Sequence, residues 1–304
     1  MLRLISDNTT IKFIRLKTFS FSLSAALSVL AILSVIFIGL NFGIDFKGGI
    51  LLEVRTTNNI SISDIRKEVS NLNIGEVSIQ EFGPKSDYLI RVERQKGSDN
   101  AQQIAVEALK GVLNGTFADG IEYRRLEYVG PTVSKDLISD GFMAIFFAIV
   151  AMLAYIWFRF ELPFAIGAIV ALLHDIILTL GVFSILGLEF NLSTVAAILL
   201  IIGYSMNDTV VVYDRIRENL RKFKKMELKS LLDKSINETL TRTINTTITT
   251  MLALGALYLI GGQIISDFAF AMLWGIIVGT YSSIFIASTI LVYLNIRRTK
   301  ETES

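Results

Sequence analysis

Six stretches of the sequence are almost free of charged side chains and are long enough to cross a lipid bilayer as helices. A helix needs about 20 apolar residues to span a hydrocarbon core of about 30 Å. The first stretch, from Phe19 to Leu40, contains no charged residue. It is longer than the apolar region of a signal peptide and lacks a small-residue cleavage site, so we expect it to remain as an anchor. The other five stretches are residues 137–158, 162–188, 190–213, 243–266 and 268–296.

The composition agrees with a membrane protein and excludes several kinds of site. Hydrophobic residues make up 52% of the 304 residues and charged residues only 19%, which is more apolar surface than a soluble domain of this size would bury. The formal net charge of +1 gives no global attraction to nucleic acid or to an acidic partner. The chain has no cysteine and a single histidine, which excludes disulfides, thiolate metal sites and histidine-rich metal centres. No metal or cofactor is therefore predicted.

Lysine and arginine lie on alternate sides of the predicted helices, and this asymmetry sets the orientation of a membrane protein. Basic side chains occur in both termini and in two connections, namely residues 1–18, Arg159, residues 214–242 and residues 297–304. Residues 187–189 and 261–267, which connect the other helices, contain no lysine or arginine. The termini and the basic loop at 214–242 are therefore predicted to be cytoplasmic, and residues 41–136 to be extracytoplasmic.

Residues 41–136 form the one long polar stretch, and their patterns predict a small α/β domain. Strand and helix patterns follow in the order β-α-β-β-α-β, over residues 50–55, 61–72, 76–82, 88–93, 100–113 and 121–129. This order is typical of the ferredoxin-like fold, which many unrelated functions share. The stretch contains no catalytic triad, no phosphate-binding glycine loop and no metal-ligand cluster, so a binding or force-transmitting module is predicted rather than an enzyme. The predicted fold class is a bundle of six transmembrane helices with one ferredoxin-like α+β domain between helices 1 and 2.

Two charged residues at membrane depth are the first candidates for function. Such side chains cost about 2.5 to 3.5 kcal/mol on insertion scales and commonly mark functional sites. Asp208 lies in the fourth stretch on a partly polar helical face, shared with Ile201, Tyr204, Ser205, Val211 and Val212. Arg242 begins the fifth stretch, and a threonine stripe follows it at steps of three and four. Because these helix ends lie on the same side of the membrane, we predict a buried pair of Asp208 and Arg242 that takes part in proton uptake. The threonine stripe by itself is typical of helix packing.

His174 and Asp175 form a second candidate site near the middle of the third stretch. Asn207 and Thr246 are assigned to the same possible polar site as further members. Two interpretations stay open for this site. The residues either bind a proton at membrane depth, or Asp175 satisfies a buried donor while His174 fills a packing cavity.

Several motifs of the chain resemble those of the SecD/SecF family of protein export membrane proteins. The run from Gly43 to Gly49, with the sequence GIDFKGG, is similar to the segment with which these proteins begin their outer domains. Residues 130–137 resemble the segment that returns to the membrane. Residues 203–219 resemble the signature of the fourth helix, and residues 241–246 the start of the fifth. The match at residues 203–219 is long and specific, whereas the glycine motif alone is weaker.

The resemblance implies a member of the resistance-nodulation-division superfamily in the bacterial inner membrane, with residues 41–136 in the periplasm. The chain would supply half of a twelve-span core and a SecD-like subunit the other half. Together they would use the proton motive force to help preproteins through the SecYEG channel after SecA has acted, with YajC as a further partner. In the family, the residues matching Asp208 and Arg242 serve proton transport, and some members use sodium. Two other functions stay open, namely a homodimeric proton-coupled antiporter of small molecules and a scaffold subunit with inert polar residues.

Overall fold

A computed structural model describes residues 9–56, 60–72, 74–75, 77–81, 87–95, 99–117, 121–260, 262–294 and 296. The chain divides into two compact units. The helical unit consists of residues 1–41, 143–188 and 193–304, and the sheet unit consists of residues 42–142 and 189–192. Each unit has its own core.

Within the described residues, six helices are long and apolar enough to cross a membrane, as the sequence predicts. They are α1 (Lys17–Phe37), α5 (Pro131–Arg159), α6 (Leu162–Leu186), α7 (Leu192–Lys222), α8 (Leu228–Ile260) and α9 (Gly262–Ser282). A 3₁₀ turn at Phe13–Leu16 precedes α1. A π-helical turn at Ser283–Ala287 and a last short helix, α10 (Ser288–Ile290), continue α9.

Two helix boundaries differ from the sequence prediction. The predicted basic loop at 214–242 is mostly helical, because α7 continues to Lys222 and α8 begins at Leu228. Buried residues recur at helical spacing through this region, and the many exposed lysines and arginines conceal them in the sequence. They include Ile216, Asn219, Leu231, Leu232, Ser235 and Ile236. The second difference is that α8 ends at Ile260 and α9 begins at Gly262, whereas the predicted spans end at Ser266 and begin at Phe268.

Small residues allow α1 and α6 to pack closely in the helical unit. A Cβ added at Gly181 of α6 would meet the Cβ of Ala31 on α1 and would lie 2.8 Å from its Cα. Nearer the start of α1, the hydroxyls of Ser24 and Tyr281 are 2.9 Å apart, and the Tyr281 hydroxyl also donates to the carbonyl of Ser20. Close backbone approach and hydroxyl bonds of this kind are how membrane helices associate, since lipid supplies no hydrophobic drive between them.

The sheet unit contains a four-stranded antiparallel sheet covered by two helices. Its elements are β2 (Gly49–Thr56), α3 (Ile62–Ser70), β3 (Val77–Glu81), β4 (Asp87–Val92), α4 (Asp99–Thr116) and β5 (Ile121–Val129). The strand order is β3-β4-β2-β5, so β2 and β4 are central. Alternate residues of β2 point to the helices and are fully buried with residues of α3 and α4, namely Ile50, Leu52, Val54, Ile65, Val69, Leu109 and Leu113. A serine caps α3: the Ser61 hydroxyl accepts from the Asp64 N–H, and the Asp64 carboxylate accepts from the Ser61 N–H.

A buried carboxylate ties two strands of this sheet together. Asp87, whose side chain is 3% exposed, accepts hydrogen bonds of 2.6 and 2.7 Å from the guanidinium of Arg55 on β2. A second guanidinium, that of Arg124, lies 3.5 Å away. The hydrogen bonds from Arg55 hold the pKa of Asp87 below its usual range, although burial acts in the opposite direction.

The glycine motif leads into the sheet. A two-residue strand, β1 (Asn41–Phe42), pairs with β6 (Glu189–Phe190), and a single helical turn, α2 (Ile44–Lys47), follows it. Gly49 then begins β2 with a φ of +123°, and a Cβ at this position would lie 2.5 Å from the carbonyl oxygen of Val92. Only glycine fits there.

Candidate functional site

Asp208 lies in the interior of the helical unit, on the face of α7 that the sequence predicts to contact protein. The residue is 3% exposed, and Ile201, Ser205 and Val212 on the same face are also buried. Among the described residues, no donor reaches its buried Oδ2 atom. A carboxylate oxygen buried without a hydrogen-bond donor is costly when the group is ionised, so Asp208 is a candidate for a functional side chain.

The predicted buried pair of Asp208 and Arg242 is not formed. Arg242 is exposed, and neither side chain takes part in an ion pair among the residues that the structure describes. The buried side of α8 in this region contains Thr243 and Thr247, and Arg242 lies about 100° around the helix from Thr243. The positive charge of Arg242 still acts on the Asp208 carboxylate, although without contact.

The threonines of α8 mostly bond to their own helix. The Thr246 hydroxyl donates to the carbonyls of Arg242 and Thr243, at 3.1 and 2.9 Å. Thr250 of the stripe accepts a 3.2 Å hydrogen bond from Tyr204 of α7. Thr247, a threonine of α8 outside the predicted stripe, has its hydroxyl 3.0 Å from that of Thr280 on α9. These contacts support helix packing and provide no continuous polar path along α8.

His174 and Asp175 do come together, at the centre of a network that joins three helices. Asp175 of α6 is fully buried, and its Oδ1 lies 3.0 Å from Nδ1 of His174. Its Oδ2 accepts hydrogen bonds of 2.6 Å from Ser205 on α7 and 2.7 Å from Ser282 on α9. Sequence reasoning placed Ser205 only on the Asp208 face and missed Ser282. The sequence signal that could have identified Ser282 is the polar run from Thr280 to Ser283 that follows an apolar stretch.

The network can stabilise a charged carboxylate, and one ring nitrogen of His174 has no hydrogen-bond partner among the described residues. Two serine hydroxyls donate to Asp175, and the His174 ring donates as a third group when Nδ1 carries its proton. His174 is 6% exposed, and no described residue bonds to its buried Nε2 atom. Ser205 precedes Asp208 by three residues, close to one helical turn. The network therefore fixes the rotation of α7 next to the buried carboxylate.

Asn207 and Thr246 do not join this network. Asn207 is exposed, because it lies two residues and therefore about 200° around α7 from Ser205. It lines a groove of about 550 Å³ between α5 and α7, together with Ala148, Ala151, Met152, Tyr155, Leu199, Ile202, Gly203, Met206 and Val210. Among the described residues, no cluster of three or more histidines, aspartates or glutamates could hold a metal ion.

The sequence matches two family models. The model of the C-terminal region of the protein export membrane proteins SecD/SecF matches residues 108–297, and that of the SecD/SecF GG motif matches residues 33–60. The protein translocase subunit SecF of Rickettsia rickettsii is 47% identical over 292 residues, which cover 95% of this chain and 94% of that protein. The subunit SecF of Desulfurispirillum indicum is 44% identical over 286 residues, which cover 93% of this chain and 91% of that protein.

A solved structure shares the fold. The crystal structure of SecDF, a translocon-associated membrane protein from Thermus thermophilus, superposes with a TM-score of 0.85 at 32% sequence identity. The match covers 97% of this chain but only 40% of the SecDF chain. These similarities extend over both units and include the helices that hold Asp208 and Asp175. The chain therefore belongs to the SecD/SecF family of protein export membrane proteins.

Proposed function

We propose that this chain is a proton-driven accessory subunit of the Sec protein translocase, in which Asp208 is the coupling carboxylate. The observation that supports this proposal most directly is the burial of Asp208 without a donor on its Oδ2 atom, within the stretch that resembles the family signature. Protonation would remove the cost of the buried charge, and deprotonation would require a new partner or water. Alternation between these two states would change the packing of α7. The role is non-enzymatic, since the ion gradient supplies the work.

Arg242 is the proposed partner of Asp208 in the deprotonated state. Its long side chain is exposed in the isolated chain, and its charge already acts on the carboxylate. A rotation of α8 that turned Arg242 toward α7 would bring the two groups closer. Formation of the pair on deprotonation and its loss on protonation would then link proton transfer to helix movement.

A SecD-like subunit is the proposed binding partner. Only 11% of the most apolar window of α5 and of α8 is buried within this chain, compared with 56% for α6 and α7. The solved relative is a longer SecDF chain, of which this chain covers 40%. A second subunit would cover the exposed faces of α5 and α8, including Arg242. The SecYEG channel, SecA, YajC and the translocating preprotein are proposed as further partners of the assembled complex.

The proposed location is the bacterial inner membrane, with both termini and the 214–242 connection in the cytoplasm and residues 41–136 in the periplasm. The distribution of lysine and arginine supports this orientation. We propose a ferredoxin-like fold for the periplasmic domain, on the basis of its β-α-β-β-α-β element order and antiparallel sheet order β3-β4-β2-β5. This domain would hold the emerging polypeptide.

For the second polar site, we propose that Asp175 positions α7 through Ser205 and α9 through Ser282. The three bonds on its carboxylate support a structural role in which the helices keep their rotation while Asp208 changes protonation. His174 is the proposed second member of this polar site, because its Nδ1 atom lies 3.0 Å from the Asp175 carboxylate.

The test is proton-gradient-stimulated export in membrane vesicles that contain this chain and its partner. Asp208→Asn keeps the shape of the side chain and removes its titration, so the variant should insert normally and lose the stimulation. Asp140→Asn is the matched control, since Asp140 is exposed near the start of α5. Full stimulation with Asp208→Asn at normal abundance would contradict the proposal and would make Asp175 the leading candidate.

The groove between α5 and α7 gives the antiporter alternative its one supporting feature. Its lining is mostly apolar, with Asn207 and Tyr155 as polar members, and its volume of about 550 Å³ would accept a small molecule. Proton-coupled efflux by a purified homodimer, together with unchanged export in cells that lack the chain, would favour this alternative. Replacement of the proton gradient by a sodium gradient in the same vesicles would distinguish the two ions.

A further inference from the structure

We propose that residues 189–192 form a strap that holds the beginning of α7 to the sheet unit, with Glu189 and Arg91 as the positioning residues that pass movement of α7 to the sheet. The inference rests on the proposed function, because it concerns how proton-driven movement of α7 reaches the outer domain. The strap also gives a physical role to the glycine motif at residues 43–49.

The backbone of the strap is bound at two points to the glycine motif. Residues 189–191 lie between α6 and α7 in sequence and Leu192 begins α7, yet all four residues group with the sheet unit. The N–H of Gly43 donates to the carbonyl of Phe190 at 2.9 Å. The carboxylate of Asp45 accepts a 2.9 Å hydrogen bond from the N–H of Leu192, the first residue of α7. A carboxylate at this position is stabilised by the positive end of the helix dipole.

Three aromatic rings hold the same segment. The rings of Phe42, Phe46 and Phe190 contact one another with centroid distances of 5.8 to 5.9 Å. Aromatic contacts of this kind stabilise a packed cluster beyond the effect of the buried area. The cluster fixes Phe190 against α2 and therefore fixes the position of Glu189 next to it.

An ion pair then connects the strap to a central strand of the sheet. The guanidinium of Arg91 on β4 donates to the carboxylate of Glu189, and each side chain is only 17% exposed. Burial raises the pKa of Glu189, as does the charge of Asp45 on α2 and of Glu127 on β5, whereas Arg91 and Arg125 act in the opposite direction. Loss of Arg91 would leave a poorly solvated carboxylate, and loss of one partner of a buried pair is strongly destabilising.

Gly43 makes room for this ion pair. A Cβ built at position 43 would collide with the Glu189 carboxylate and would lie 3.2 Å from its Cγ. The first glycine of the GIDFKGG motif therefore permits the close approach, and Asp45 of the same motif holds Leu192. Since Asp208 follows Leu192 by 16 residues in one continuous helix, the strap lies about 24 Å along α7 from the proposed coupling carboxylate.

The experiment anchors the strap to the glycine motif by a covalent bond at the place where Gly43 and Glu189 approach each other. A cysteine sulfur at position 189 would occupy the place of the Glu189 Cγ, so the 3.2 Å separation brings the Gly43→Cys/Glu189→Cys pair within disulfide range. The parent chain contains no cysteine and is the control for the effect of redox conditions on the rest of the assay. The same inserted protein is compared after oxidation and after reduction, so abundance and folding are matched.

Gradient-stimulated export should fall at least fivefold in the reduced double variant and recover to at least half of the parent value after oxidation. Glu189→Cys alone should stay low under both conditions. Unimpaired export by the reduced double variant, persistent loss after disulfide formation, or failure of the disulfide to form would each overturn the proposal.

A second measurement does not depend on export and separates failure of the strap from failure of the proposed function. Hydrogen exchange at the Leu192 amide should be at least tenfold faster in Asp45→Ala, which removes the acceptor, than in the parent chain, and Glu107→Ala on the exposed side of α4 should leave it unchanged. If the parent chain showed no gradient stimulation, the proposed function would fail. Unchanged exchange in Asp45→Ala would then decide against the strap, and accelerated exchange would support it.

Discussion

Replacement of Ser282 by alanine removes one of the two serine hydrogen bonds to Asp175. Ser282 and its neighbour Ser283 are both fully buried, so each serine-to-alanine change removes one oxygen from the same kind of environment. Their bonds differ. Ser282 donates across helices to the Asp175 carboxylate at 2.7 Å, whereas Ser283 donates at 3.1 Å to the Thr280 carbonyl of its own helix segment. Ser283→Ala is therefore the matched control.

The expected loss of stability follows from the acceptor. Hydrogen bonds between membrane helices contribute about 0.6 kcal/mol on average and reach about 1.7 kcal/mol. Bonds to charged groups contribute about 1.5 to 3 kcal/mol in soluble proteins. Asp175 is fully buried, so water cannot replace the lost donor, and we expect Ser282→Ala to lower the free energy of unfolding by about 1.5 kcal/mol. For Ser283→Ala we expect a loss below about 0.5 kcal/mol, because alanine has the higher helix propensity.

The assay is reversible unfolding of the purified protein in mixed micelles, followed by helix content as the denaturing detergent increases. The quantity compared is the difference in unfolding free energy between the two single variants. Losses that agree within about 0.5 kcal/mol would refute the reasoning, because they would mean that the bond to Asp175 adds nothing beyond an intrahelical bond.

Three further predictions concern other parts of the chain. Because the folded-state pKa of Asp87 is lowered, its contribution to the stability of the sheet unit is present above the unfolded value of about 3.9 and is lost as pH falls through the folded pKa. Asp87→Asn should abolish this acid dependence in a denaturation series between pH 2 and 7. Gly181→Ala should lower the unfolding free energy by about 1 to 3 kcal/mol through overpacking, and Ala31→Gly in the same chain should restore much of it. In intact cells, an impermeant maleimide should label Ser63→Cys and spare Ser230→Cys, both at exposed positions, and the reverse pattern would invert the proposed topology.

The membrane spans could be predicted well, because each one is a continuous run of apolar residues in the sequence. Charge-free stretches of helical length leave little choice in a bilayer, and all six appear as helices in the described part of the chain. The buried face of α7 was also predictable, since Asp208 and Ser205 repeat at helical spacing with apolar residues. The end of α7 and the beginning of α8 were harder to predict, because exposed basic residues obscure the buried positions at 216, 219, 231 and 232.

The partners of each polar side chain could not be predicted from spacing. Arg242 and Thr243 are adjacent in sequence, and only the packing of α8 decides that Thr243 is buried while Arg242 is exposed. The bonds from Ser205 and Ser282 to Asp175 depend on how three helices meet, and their sequence separations of 30 and 107 residues give no local signal. Helical periodicity identifies a face, but it does not identify the side chain that faces it.

The π-helical turn at Ser283–Ala287 determines where the last span can tolerate a change in length. A π turn has one residue more than the corresponding α-helical turn, and each α-helical residue advances the direction of the side chains by about 100°. Loss of one residue within the turn would convert it to a regular helix while Ser282 before it and Ser288 after it keep their buried directions. Loss of a residue elsewhere in the span would rotate one half by about 100° and turn its buried hydroxyls toward lipid. Single-residue gaps between relatives in this span should therefore cluster at residues 283–287.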